Sequence, residues 1–125
     1  MKHNPKTNQP EPHEIIVAKI LEKYFHFKIE FIAPINDYKR KTPDLVMNGL
    51  LWEIKSPTGK SRRHTVSYQF DRASKQSKFI IFDGQRTELT DDFLQKRISF
   101  ELEKHRSIRK VIFITKSQEV LEIEK

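Results

Sequence analysis

An Asn48-Gly49 pair stands between two short apolar runs, Asp44–Met47 and Leu50–Lys55. Both residues tolerate positive φ, which a two-residue hairpin turn demands, so the pair predicts an antiparallel hairpin with its register set by the turn. Met47 then faces Leu50, Val46 faces Leu51, Leu45 faces Trp52 and Asp44 faces Glu53. Opposed residues project to the same side of the sheet. Lys55, two residues beyond Glu53, joins that side. Leu45, Met47, Leu50, Trp52 and Ile54 form the other, apolar side, while two carboxylates and one ammonium converge at the end of the hairpin.

Like charges placed opposite each other in a sheet cost up to roughly 1 kcal/mol. A strand pair has little reason to keep them unless a cation sits between. Hard oxygen ligands suit Mg²⁺ or Mn²⁺, and a neighbouring lysine can orient an attacking water or steady charge developing on a phosphate. A lone Asp after a proline, or a lone E-x-K, is ordinarily a solvated strand edge. The convergence of Asp44, Glu53 and Lys55 by an independent geometric argument favours a site.

Around the hairpin the chain alternates between helix and strand. The stretch from Pro12 to His26 predicts a helix, with Pro12 in its first turn and Glu11 and Glu14 at the positive end of its dipole. Lys28–Ala33 reads as a strand, 35–41 as a basic loop, and Ser56–His64 as a loop with Pro57, Gly59 and three cations. Thr65–Ser77 predicts a helix patterned through Val66, Phe70 and Ala73. Lys78–Asp83 and Lys110–Thr115 are apolar runs of buried-strand type. Between them Thr90 caps a helix to His105 with the stripe Leu94, Ile98, Leu102. The tail QEVLEIE fits either an edge strand or a short helix. Residues 1–11, with Pro5 and Pro10 among polar residues, predict a flexible lead-in, and 12–125 a single domain. The expected fold is α/β, a mixed central sheet flanked by helices.

Composition narrows the function. The 125 residues hold no cysteine, which excludes disulfides, thiol catalysis and Cys-based metal sites. The N-terminal stretch lacks the apolar h-region of a signal peptide, so none is expected; no apolar run is long enough to span a bilayer, and no helix shows the basic amphipathic face of a membrane-surface protein. Lys and Arg number 24 against 17 Asp and Glu, a formal charge of +7. Nearly all of that excess lies in 55–78, where Lys55, Lys60, Arg62, Arg63, Arg72, Lys75 and Lys78 meet only Asp71. A cluster of this kind is the footprint expected for a phosphate backbone. Lys60, Arg62, Arg63, His64, Arg72 and Lys75 are its candidate nucleic-acid contacts. Tyr68 can stack on bases, whereas Phe70 reads as core. Among the five histidines no pair has H-x-x-x-H spacing, which argues against zinc. Only His64 falls beside the candidate centre.

Pro43-Asp44, eight residues, then Glu53-Ile54-Lys55 resembles the PD-(D/E)XK nuclease superfamily, in the form PD…EIK. The element order over 12–83 is similar to that superfamily's αβββαβ restriction-endonuclease-like core, with 89–115 as an added C-terminal helix and strand. Within it, WEIKSP, the basic loop and KQSKFIIFD look most like the C-terminal nuclease domains of contact-dependent inhibition toxins, several of which cut tRNA. The resemblance implies Asp44, Glu53 and the Ile54 carbonyl as ligands of Mg²⁺ or Mn²⁺, and Lys55 as the residue that positions the attacking water. It implies Glu14 as an acidic residue on the first helix, a position where a plain dipole-complementing acid fits equally well. It also implies a polar residue on the helix after the lysine strand, Gln69, with Gln76 as competitor.

The expected activity is metal-dependent hydrolysis of phosphodiesters in DNA or tRNA, with a cytoplasmic site of action and an acidic immunity protein as partner. As a toxin domain the chain would be the tail of something larger. The alternatives are a non-catalytic nucleic-acid-binding module on the same fold, a DNA-cutting nuclease of the resolvase or transposon-associated kind, and a metal-independent ribonuclease centred on His64.

Overall fold

A computed structural model describes residues 10–32 and 43–125. The expected 1–11 lead-in falls almost wholly, and the 35–41 loop wholly, outside the described residues. The elements run α1 (Pro12–Phe25), β1 (Ile29–Phe31), β2 (Leu45–Met47), β3 (Leu50–Lys55), α2 (Thr65–Ala73), β4 (Phe79–Asp83), α3 (Asp91–Lys104), β5 (Lys110–Ile114) and β6 (Val120–Glu124). The six strands lie in the sheet in the order of the chain. β1, β2 and β3 are antiparallel neighbours, β3, β4 and β5 are parallel, and β6 returns antiparallel on β5. This is the expected mixed sheet between helices.

Two parallel crossovers that advance in one direction with one hand place their helices on one face. α2 and α3 accordingly share a cluster with β4 and β5, built on Phe70, Phe82, Leu94, Ile98, Leu102 and Phe113. α1 covers the opposite face, where Val17, Ala18 and Leu21 pack on Leu45, Trp52 and Ile54. Both stripes expected of α2 and α3 are buried. α3 and β5, expected as additions, are integral: β5 is an interior strand with Ile112 and Phe113 buried on its two faces. Among the described residues, no helix is long and apolar enough to cross a membrane.

The helix ends follow the sequence closely. α1 starts on Pro12 with a reciprocal capping box between Glu11 and Glu14. Thr90 caps α3 by accepting from the Phe93 N–H at 3.2 Å. Thr90→Ala is expected to lower stability by about 1 kcal/mol, measured by urea titration. His105 closes the other end of α3, one ring nitrogen on the Glu101 carbonyl at 3.0 Å and the other on Asp71 of α2 at 2.9 Å.

Three local expectations are corrected and one left open is settled. β1 is shorter than 28–33, spanning only the residues that pair with β2. α2 stops at Ala73 rather than Ser77, because the next turn tightens: Lys75 N–H donates to Arg72 and Gln76 N–H to Ala73. Leu50, at the hairpin tip, is 39% exposed instead of buried. The tail is strand β6, turned onto β5 through Thr115 and Gln118, with Gln118 at φ 69°.

Candidate active site

Asn48 and Gly49 take φ of 53° and 76° and close the predicted turn. The register is as computed: Leu45 opposite Trp52, Val46 opposite Leu51, Met47 opposite Leu50. One step further it changes. Asp44 N–H donates to the Trp52 carbonyl at 2.9 Å, and its carboxylate Oδ2 accepts from the Ile54 N–H at 2.7 Å. Asp44 is therefore not squared against Glu53 by the ladder. Its side chain takes the ladder's place, which fixes the carboxylate at the point where β2 and β3 part.

Glu53 and Lys55 project to the α2 side and are nearly closed off from solvent, at 4% and 8% exposure. Lys55 Nζ lies 3.1 Å from Glu53 Oε2 and donates to Gln76 Oε1 at 2.9 Å. Glu53 Oε1 is buried with no hydrogen-bond partner. Burial, and after it the charge of Asp44, push Glu53 up to about 7 despite Lys55. Burial also raises Asp44, against the opposing pull of the Ile54 N–H and Lys55. Glu14 is raised, first by burial and further by Asp44, while the Glu11 N–H at 3.0 Å holds it back. Asp44 and Glu53, both resisting ionisation, with Glu53 Oε1 buried and undonated, form a donor pair short of positive charge. Hard oxygen donors in that condition fit Mg²⁺ or Mn²⁺.

The structure thus brings Asp44, Glu53, Lys55 and the Ile54 backbone together, with Glu14 close enough to feel the charge of Asp44. Gln69 does not join them. It is half-buried on α2, and the glutamine on Lys55 is Gln76, carried past the end of the helix by the tightened turn.

Beside Lys55 a groove of about 640 Å³ runs between the 56–64 loop and α2, lined by Lys55, Lys60, His64, Tyr68, Gln69 and Arg86 among others. Arg62 lies with its guanidinium 4.5 Å from the centre of the Phe93 ring and so fastens the loop to α3. Arg63, Arg72 and Lys75 are exposed and are not part of the groove lining.

Sequence reasoning missed how the loop is held. Buried Asp83, at the end of β4, accepts from Ser56 Oγ at 2.6 Å and from the Gln85 N–H and side-chain amide at 3.0 and 2.9 Å. Arg86 reaches back to the Ser56 carbonyl at 3.2 Å. An acid closing an otherwise apolar strand was the available signal. Asp83→Ala is expected to cost roughly 2 kcal/mol, because it strands three buried or half-buried donors. A melt will show this, and hydrogen exchange will speed first in 56–64.

Residues 41–120 match the family described as "Contact-dependent growth inhibition CdiA C-terminal domain". The match takes in the hairpin, the groove and both crossover helices. Among solved structures, the "CdiA-CT/CdiI toxin and immunity complex from Burkholderia pseudomallei" contains a chain of similar fold, with TM-score 0.67 and 18% identity over 98% of each chain. No curated protein matches the chain.

Proposed function

The chain belongs to the contact-dependent growth inhibition CdiA C-terminal domain family, and from that premise we propose that it is a toxin nuclease, a divalent-metal-dependent endonuclease of the PD-(D/E)XK type. The observation that carries this reading is the cluster of half-buried Asp44 with buried Glu53 and Lys55, in which Glu53 Oε1 is left without a donor. Asp44 and Glu53, with the Ile54 carbonyl as a third candidate, would hold Mg²⁺ or Mn²⁺. The bound ion would supply Lewis-acid stabilisation of phosphate charge and a lowered pKa for water.

The protein's own groups do the rest. The Ile54 N–H keeps the Asp44 carboxylate in one orientation. Glu53 and Gln76 aim the Lys55 ammonium, which positions the attacking water and offsets charge developing on the phosphoryl oxygens. Burial of Glu53 and Lys55 keeps these interactions strong, since little bulk water screens them. Lys60, Arg86 and the exposed cations around the groove hold the strand by its phosphates, so binding weakens steeply with salt. An acidic immunity protein that covers this basic face is the expected partner, consistent with the toxin and immunity complex of similar fold.

The test is cleavage of plasmid DNA and of total tRNA with Mg²⁺, with EDTA, and with Glu53→Gln. Activity lost in both EDTA and the variant supports the metal–carboxylate centre, and the substrate cut decides between DNA and tRNA. Cleavage that survives both points instead to His64. Salt-sensitive binding without cleavage of either substrate would leave a binding module.

A further inference from the structure

His64 and Tyr68 stand one turn apart at the start of α2 and stack on each other, ring centres 5.0 Å apart and planes 17° from parallel. Neither serves the core, which α2 meets through Val66, Phe70 and Ala73. Tyr68 is 58% exposed, and His64 is exposed beside it. Both line the groove that begins at Lys55, with Lys60 and Arg86 in the same wall.

Resting on the nucleic-acid half of the reading above, we propose that His64 and Tyr68 form a stacking subsite for one unpaired nucleobase of the bound strand. An aromatic platform bordered by cations suits a flat ring on a phosphate chain, because the rings take the base and the cations take the backbone. An apolar peptide would gain nothing from Lys60 and Arg86. Within a continuous duplex each base face is already covered by its neighbours, so the platform selects a base that is looped out or single-stranded. Gln69 and Thr58 add polar side chains to the same groove. The subsite therefore favours looped or single-stranded nucleic acid over uninterrupted duplex.

The experiment uses Glu53→Gln protein in EDTA, so that binding is read without turnover. The probe is a hairpin oligonucleotide with 2-aminopurine in its loop, against the same sequence fully paired. The expected result is quenched 2-aminopurine emission and tighter binding of the hairpin. Adding Tyr68→Ala should weaken hairpin binding roughly 10- to 100-fold and remove the quenching, while Tyr68→Phe retains both. Equal affinity for hairpin and duplex, or quenching unchanged by Tyr68→Ala, overturns the proposal. Absence of Mg²⁺-dependent cleavage by the parent protein, with this binding pattern intact, sinks the nuclease reading and leaves the base subsite standing.

Discussion

Lys55→Met is expected to lower cleavage by roughly 10²- to 10⁴-fold, the range that a positioned proton-handling or charge-stabilising group supplies. Metal binding should survive, because the variant keeps Asp44, Glu53 and the Ile54 backbone. Glu53→Gln, by contrast, should lose cleavage and metal-dependent stabilisation together. The contrast separates the two roles. Single-turnover assays at saturating substrate give the rate, and thermal melts with and without Mg²⁺ give the metal response. Removing one member of a buried ion pair is often costly to the fold. Here Glu53 can take up a proton when the lysine is gone, so folded Lys55→Met should be recoverable near pH 6. If folded Lys55→Met cuts as fast as the parent, the lysine has no part in the chemistry.

The second large effect is on stability without metal. Glu53 is pushed up to about 7, chiefly by burial and the charge of Asp44. The unfolded chain gives up this proton near the ordinary carboxylate pKa of about 4.3, whereas the folded protein keeps it until near neutrality. Folded protein therefore holds more protons between those values, and stability falls as pH rises across that window. The contribution from Glu53 is on the order of 3 kcal/mol, complete at acid pH and lost above about pH 7. Asp44 and Glu14 are shifted in the same direction and deepen the slope. In EDTA the parent should be markedly less stable at pH 8 than at pH 5, and Glu53→Gln should flatten most of that difference. Mg²⁺ should restore stability to the parent at pH 8, do little at pH 5, and do nothing for the variant. Urea titrations at the two pH values decide it; parallel parent and variant curves would count against a strained carboxylate.

Much of this site was legible before any coordinates. A two-residue turn leaves a hairpin one register, so the pairing of 45–47 with 50–52 followed from Asn48-Gly49 alone, and the two-residue period of a strand put Glu53 and Lys55 on one face. The apolar runs at 79–83 and 110–114 and the Thr90 cap were equally readable, because burial and capping are local requirements. Asp44 was placed in the right neighbourhood for a partly wrong reason. Ladder geometry predicted a facing pair, while the chain departs from the ladder at Asp44 and lets a side chain complete it. Which glutamine meets Lys55 could not be settled by periodicity, since Gln76 reaches it through a tightened turn outside the helix. The Asp83–Ser56 tie and the seat of Arg62 on Phe93 join segments distant in sequence, and neither leaves a periodic trace.

The strand order has a kinetic corollary. Every pairing in the sheet joins strands consecutive along the chain. No strand must wait for a remote partner, and each loop closed is no longer than a helix with its connections. Because closure entropy grows with the separation of the joined ends, assembly can proceed by short steps, each new strand docking on an edge already formed. Such a topology favours quick refolding for a sheet of this size. It also confines the slowest joins to the two helical crossovers. The first of these brings Gln76 to Lys55, so the Glu53–Lys55–Gln76 cluster is completed in the same event that lays β4 against β3.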